Sequence, residues 1–348
     1  MLGQEKPEIS KRDREILRAI IHDFISSGEP VGSQAIAPRC DLSPATVRSA
    51  MADLEELGYL AKPHTSAGRV PTDKGFRLYV DSLLRVRAPA PKDRERIESG
   101  VQPAALPDLL ADTGRLLHEI THHTALVVAP QLDQDLFRRI EFVQLREDRI
   151  LAIFVSQAGV VQNRLITVDF PIARGELEYA ANYLNEKLGE LTLEQVHERL
   201  RAEREAEQAL YDQLQQKALQ LARAAFADQG LPEPEVRVEG EASFLDDPAF
   251  AADVEKMRKL FSALARKDRV LHVLRRVMEA REVRIFIGAE SELLDVPGLA
   301  VVAAPYTQGE KVLGALAVVG PTRMNYGRVI PLVEYTARAV SRTFGDER

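Results

Sequence analysis

Two stretches of this chain hold residues whose types and spacing can do chemistry. Between Ser43 and Gly58 a small, polar, singly basic set, Ala45, Thr46, Arg48 and Ser49, falls on one side of a predicted helix. Such a face suits a DNA major groove, where Arg pairs with guanine, Ser or Thr bonds either base, and small side chains allow close approach. The other stretch is His118-Glu119-Ile120-Thr121-His122, a literal H-E-x-x-H. On a helix, two histidines four residues apart can hold zinc while the glutamate activates water, the arrangement of a metal-dependent hydrolase. Which chemistry the chain supports depends on the elements that position each set.

The first set has a well-delimited frame. Ser43 can cap orphan amides, Pro44 suits the first helical position, and Gly58 can take a left-handed conformation past the helix end. Val47, Met51, Leu54 and Leu57 recur at helical spacing and face a core, leaving Ala45, Thr46, Arg48, Ser49 and Ala52 outward. Asp53, Glu55 and Glu56 at the far end would repel phosphates, so the N-terminal turns are expected to do the reading. A short helix from Ser33 to Cys40 and the turn Asp41-Leu42 come before it, with Ser33 and Gln34 as further candidate contacts. A helix over roughly Ser10 to Ser27 supplies the packing base, with Ile16, Leu17, Ile20, Ile21 and Phe24 on one stripe and Ser10 and Asp13 placed to cap its start.

Beyond Gly58 the order is strand, tip, strand, helix: Tyr59-Leu60-Ala61, then Lys62 to Pro71, then a helix opening at Thr72-Asp73 with Phe76, Tyr79, Val80 and Leu83 inward. This is the pattern of a winged helix-turn-helix, with Gly68 and Arg69 expected at the tip of the wing, where an Arg can enter a minor groove or bind phosphate. The candidate DNA-binding residues there are Lys62, His64, Thr65, Ser66, Gly68, Arg69, Lys74 and Arg77. Lys62, Arg69, Lys74 and Arg77 against Asp73 give a local net charge of +3 in a chain whose total is −7. The same pattern fits a three-helix protein-interaction module, and the local charge favours a phosphate-facing surface.

The second set lacks a comparable frame. A protease needs a third ligand, yet Glu141 falls in a predicted strand and the helix stops just before the apolar run from Ala125. His123 would have to contribute from another direction. A zinc hydrolase is kept as the alternative from a different class. No Walker loop, dinucleotide-binding glycine fingerprint or G-x-S-x-G elbow is present, so the chain is expected not to be an enzyme, and no catalytic residue, metal or cofactor is assigned.

A length of 348 residues with 45% hydrophobic content suits two or three domains with real cores. The longest apolar runs, such as Ala125 to Pro130 and Val312 to Val319, are too short to cross a bilayer, and the N-terminus has no apolar signal core. A cytoplasmic location with no membrane partner is expected. The single cysteine, Cys40, excludes an internal disulfide and reads as a packing residue. Pro89, Pro91, Pro103 and Pro107 mark a linker after the reading unit.

A helix over Pro107 to Thr124 leads into strand-like runs at Ala125 to Ala129, Arg138 to Leu145, Arg149 to Ser156 and Val160 to Val168, read as an antiparallel meander. Strand patterns resume at Val283 to Gly288, Ala300 to Tyr306 and Lys311 to Val319, before a closing helix over Val329 to Phe344. Helices at Gly175 to Leu188, Thr192 to Ala227, Pro248 to Ala265 and Asp268 to Ala280 fill the gap, with a possible strand at Val236 to Phe244. A sheet interrupted by a helical block implies an insertion. The charged stretch Arg201 to Glu207 reads either as a solvated helix face or as a partner-helix surface.

The run Ser43-Pro44-Ala45-Thr46-Val47-Arg48, the segment Gly58-Tyr59-Leu60, and above all His64 to Arg77 (HTSAGRVPTDKGFR) resemble the HrcA family of bacterial heat-inducible transcription repressors. Gly320-Pro321-Thr322-Arg323-Met324-Asn325-Tyr326 is a second match, far away and in the family's order. The resemblance implies a multidomain α+β chain. It would comprise a winged-helix DNA-binding domain over 1–87, a linker over 88–106, and a GAF-like antiparallel-sheet domain in two parts, 107–170 and 256–348. A largely helical inserted dimerising domain, 171–255, would split the latter. It also implies a homodimer that binds double-stranded DNA at the CIRCE inverted repeat of chaperone operons, with the GroEL chaperonin as the partner that keeps it active. The alternative within this class is a repressor whose GAF-like domain senses a metabolite. Arg323, Met324, Asn325 and Tyr326 would then line a pocket; otherwise they anchor the turn between the last strand and the closing helix.

Overall fold

The chain is described by a computed structural model at residues 9–63, 68–104, 106–130, 137–156, 161–188, 236–291 and 296–345, with positions 195, 217, 218, 220–222 and 224 between them. Helix α1 (Lys11–Ser27) starts where the Ser10 side chain accepts from the Asp13 amide at 3.1 Å and stops at Gly28, whose φ of 71° is left-handed. Its buried stripe, Ile16, Leu17, Ile20 and Ile21, packs on α2 (Ser33–Cys40) and α3 (Pro44–Glu56). Strands β1 (Leu60–Ala61) and β2 (Val70–Pro71) pair antiparallel, Leu60 with Pro71 and Ala61 with Val70. Val31 adds a bridge to Arg69. Helix α4 (Asp73–Leu78) follows, capped by Thr72, and runs into a π-helical turn over Tyr79–Leu83.

The stretch expected as a linker instead contains helix α5 (Pro91–Gly100). Pro91 stands in its first turn, where a missing N–H costs nothing, so this proline starts a helix and does not break one. Ile97 and Val101 are buried, and α5 packs against α6 (Leu106–Thr121).

Strand β3 (Thr124–Val128) is buried at all five positions. It therefore leaves the expected meander, which is made only of β4 (Phe137–Arg146), β5 (Arg149–Ser156) and β6 (Val161–Thr167). The physical reason is visible in the side chains: β3 is apolar without alternation and needs cover on both faces, whereas β5 alternates between buried and partly exposed. β3 sits inside a five-stranded sheet with β7 (Val236–Glu239), β8 (Arg284–Ile287), β9 (Leu299–Gln308) and β10 (Lys311–Pro321), in the order β7-β3-β10-β9-β8. Its register on β10 pairs Leu126 with Ala317, and on β7 it pairs Leu126 with Val238.

The expected strand to Phe244 ends at Glu239, because Gly240 turns left-handed and a 3-10 turn follows. The expected helix over Pro248 to Ala265 breaks into one turn, Pro248–Ala251, and α8 (Val254–Ala265), since Asp253 caps the new start by accepting from the Lys256 amide at 3.0 Å. Helices α8 and α9 (Lys267–Ala280) bury Leu260, Leu264, Leu271 and Leu274 in one core with Leu126, Val128, Val301 and Ala317 of the sheet. The closing helix is α10 (Tyr326–Gly345).

Two compact units result: residues 1–128, 236–307 and 314–343, and residues 129–235, 308–313 and 344–348. In the second, Ile140, Ile150 and Phe154 of the three-stranded sheet share a core with Leu177, Ala180 and Leu184 of α7 (Arg174–Leu188). The second unit thus starts at 129 and holds β4 to β6 as well as α7. The helix expected over Thr192 to Ala227, with its charged stretch, lies almost wholly outside the described residues. No helix among the described residues is long and apolar enough to cross a membrane.

Candidate nucleic-acid interface

The turn into α3 is built from local chemistry. Asp41 adopts φ 54°, ψ 47° and ends α2, and the Leu42 amide returns to the Ala37 carbonyl at 3.1 Å. Ser43 then caps α3 by accepting from the Thr46 amide at 3.1 Å. Val47, Ala50, Met51 and Leu54 are buried, which leaves Ala45, Arg48, Ser49 and Ala52 exposed on the opposite side. Thr46 is half-buried with its hydroxyl 2.8 Å from that of Ser43, so this hydroxyl is already engaged. On α2, Gln34 is exposed and Ser33 half-buried, behind a Gly32 start that has no side-chain cap.

The basic residues stand differently from the sequence expectation. Arg69 stands on the loop side of the β1–β2 ladder, just before Val70, and its amide and carbonyl bond those of Val31 at 2.9 and 2.8 Å. Its Nε donates to Glu55 Oε2 at 2.7 Å, and its side chain is 20% exposed. Gly68 is required by close approach, since a Cβ there would lie 2.4 Å from the Val31 carbonyl oxygen. Lys74 donates from Nζ to the Leu57 carbonyl at 2.7 Å and lies 4.5 Å from the centre of the Tyr59 ring. It closes the C-terminus of α3, where a cation meets the negative end of the helix dipole.

Arg77 grips Glu290 through both Nε and Nη2, donates to the Ile285 carbonyl at 2.5 Å and contacts Asp81 at 3.3 Å. The Glu290 hydrogen bond is the main reason its pKa is raised still further. His64, Thr65 and Ser66 lie outside the described residues. The local charge of +3 is thus largely answered inside the molecule. Among the described residues, Arg48 and the exposed Lys62 form no salt bridge.

The H-E-x-x-H stretch is not a helical metal motif. Helix α6 ends at Thr121, and His122 turns left-handed with φ 58°, so the two histidines do not share one helix face. His118 Nδ1 donates to the His123 carbonyl at 2.9 Å, and Glu119 pairs with Arg96 at 3.2 Å. His123 is half-buried, and the loss of solvent around its ring pushes its pKa down to about 4.

Sequence reasoning gave little weight to a set of contacts centred on Gly320 to Tyr326. Arg323 pairs with the buried Asp247 at 2.8 Å and lies against Gly28 at the end of α1, within 3.4 Å of where a Cβ would stand. Tyr326, fully buried, tilts against Phe76 of α4 with ring centres 6.1 Å apart and donates its hydroxyl to the Thr322 carbonyl at 2.8 Å. Met324 is buried and Asn325 exposed. The motif therefore ties the N-terminal helices to the sheet. Its only sequence signal was the resemblance itself, because nothing local joins residues about 250 positions apart.

A family model described as the HrcA protein C terminal domain matches residues 107–330. The chain is 52% identical over 342 residues, covering 96% of each protein, to the heat-inducible transcription repressor HrcA of Anaeromyxobacter sp. (strain K). It is 47% identical over 344 residues to the protein of the same name from Geobacter sulfurreducens, covering 98% of this chain and 99% of that one. Among solved structures, a crystal structure of a hypothetical protein at 2.2 Å resolution shares the fold with a TM-score of 0.63 at 23% identity, over 97% of this chain and 99% of that one.

Proposed function

The chain belongs to the HrcA family of heat-inducible transcription repressors, and from that premise we propose that it represses heat-shock chaperone operons by binding a CIRCE-type inverted repeat as a homodimer. Residues 1–87 act as a winged helix-turn-helix in this reading, and the five-stranded sheet with its helices as a GAF-like domain. The observation that carries it is the face of α3: Ala45, Arg48, Ser49 and Ala52 are exposed on a helix whose other side is fully buried. A face of small residues around one unpaired arginine admits the helix to a major groove and gives it one group able to read guanine. Ser33, Gln34, Ser43 and Lys62 flank that face as contacts of the same interface.

Dimerisation is supported by the outer side of the three-stranded sheet. Val143, Leu145, Val161 and Leu165 are 42%, 53%, 57% and 51% exposed there, and Val143, Leu151 and Leu165 stand in register across the strands. A contiguous apolar surface of this kind marks an interface. Two copies related by a two-fold axis would match the symmetry of an inverted repeat. GroEL is proposed to sustain the active state by mass action: a marginally stable fold loses active population when its partner is occupied elsewhere.

The test is Arg48→Ala in the full chain. Affinity for the inverted repeat should fall by about 1–3 kcal/mol while affinity for scrambled duplex stays within a few tenths. Equal losses on both duplexes would remove base reading from Arg48, and wild-type protein that does not prefer the repeat would overturn the function.

A further inference from the structure

The densest positive charge of the molecule does not lie on the proposed reading unit. Residues 1–87 carry thirteen Lys and Arg against twelve Asp and Glu, a net of +1. Residues 254–284 carry ten against four, a net of +6 in a chain whose total is −7. This segment is the α8–α9 hairpin and the start of strand β8. Its apolar side is committed to the sheet, with Leu260, Leu264, Val270, Leu271, Leu274 and Val277 buried. The cations consequently face solvent. Lys259, Lys267, Arg275 and Arg281 are exposed and, among the described residues, none of them forms a salt bridge or hydrogen bond through its side chain. A helix the length of α9 covers about 20 Å, the axial rise of roughly six base pairs.

We propose that the α8–α9 hairpin is a second, sequence-independent DNA surface that takes the phosphate backbone of duplex flanking each half-site. The inference rests on the DNA binding proposed above and adds a site to it. Charge complementarity favours this occupant: a run of net +6 on an acidic protein attracts a polyanion over long range. Continuity with the reading unit favours it as well. Arg284, exposed at the start of β8, is next in sequence to Ile285, whose carbonyl accepts from Arg77 of α4 at 2.5 Å. The hairpin therefore emerges beside the N-terminal helices. It also adds cations beyond the wing, because Arg69, Lys74 and Arg77 are each bound to groups of the protein itself. Electrostatic affinity for duplex grows with the number of phosphates neutralised, and this hairpin adds four exposed cations to those of the reading unit.

The experiment compares the full-length protein with a K259Q/K267Q/R275Q/R281Q variant on two duplexes. One is trimmed to the inverted repeat, and the other is extended by about 15 base pairs of unrelated sequence on each side, roughly two and a half times the span of α9. Wild type should bind the extended duplex more tightly, with a steeper fall of log K against log salt. The variant should lose that gain, its slope flattening by about 0.9 for each phosphate contact removed. An R275K/R281K variant, which keeps the charges, should retain the wild-type slope, so a flattened slope here would overturn the proposal. A quadruple variant that still prefers the repeat and keeps the full slope would overturn this proposal alone. Wild type that binds neither duplex would overturn the DNA reading with it. A variant whose slope is unchanged but whose self-association is lost would assign the surface to an acidic segment of a second copy and overturn the proposal.

Discussion

Arg77 separates two accounts of the same residue. Its place in a basic sequence motif makes it a phosphate ligand; its place in the fold makes it the pin between α4 and β8. Its side chain is 27% exposed and that of Glu290 42%. Partly exposed ion pairs couple by about 0.2–1 kcal/mol, and the two-pronged arginine–carboxylate geometry puts this one near 1 kcal/mol. Removing Arg77 also strips the Ile285 carbonyl of its donor, at a further cost of about 1 kcal/mol. Glu290 also accepts from the Ile287 amide at 3.1 Å, so Arg77→Ala and Glu290→Ala are each expected to weaken the local docking by about 2 kcal/mol and the double variant by about 3, with a coupling near 1 kcal/mol.

Hydrogen exchange of peptides covering 73–83 and 284–290 reports that local opening directly. At 1.4 kcal/mol per factor of ten, exchange should quicken about 30-fold for Arg77→Ala and by a similar factor for Glu290→Ala. The salt dependence of DNA binding should not change. Unaltered exchange together with a slope lowered by about 0.9 would show Arg77 free to bind phosphate and refute the reasoning.

Gly75→Ala should cost the N-terminal helices at least the 1–3 kcal/mol of an overpacked core, because its Cβ would stand 2.3 Å from the Tyr59 carbonyl oxygen and both partners are backbone; exchange protection in α1 to α4 equal to wild type would contradict this. His123 gives a pH prediction. Burial, reinforced by His122, lowers its pKa from 6.5 to about 4, so between those values the unfolded chain binds more protons than the folded one. Its contribution is whole above about pH 6.5 and drains away as pH falls towards 4, by on the order of 3 kcal/mol. The urea midpoint of wild type should drop over that window more steeply than that of His123→Asn, and parallel profiles would mean that the imidazole is not held neutral.

The N-terminal helices were legible because their limits are local events. Ser10, Gly28, Ser43 and Pro44 each act within four residues of themselves, and such signals survive without knowledge of the rest of the chain. Sheet partners are not local. β3 pairs with β10 about 190 residues later, and only its unbroken apolar run hinted that both faces would be covered. Charge counting misses internal partners for the same reason. It recorded Arg69, Lys74 and Arg77 as available, while Glu55 stands 14 residues before Arg69, the Leu57 carbonyl 17 before Lys74, and Glu290 213 after Arg77. The H-E-x-x-H string matched in spacing and failed in geometry, since a motif defined on a helix means nothing where the helix ends between its members.

The residues that make the family most recognisable turn out to have internal work. Thr72 caps α4 by accepting from the Gly75 amide at 3.1 Å and donates to the Gly58 carbonyl at 2.7 Å. Gly75 lets the backbone of Tyr59 approach, Phe76 lies against Tyr326, and Arg77 holds Glu290. From the other end of the chain, Arg323 packs on Gly28, where φ is 71° and any side chain would be strained. Two strings separated by some 240 residues are therefore halves of one joint between the N-terminal helices and the sheet. Their shared presence argues for a fixed placement of α3 on the body of the protein, which is what a symmetric pair of reading helices requires if half-sites are to be met at a set spacing. Under the proposed function the direct contacts fall to α3, to Ser33, Gln34, Ser43 and Lys62 around it, and, by the further inference, to the charged hairpin beside β8.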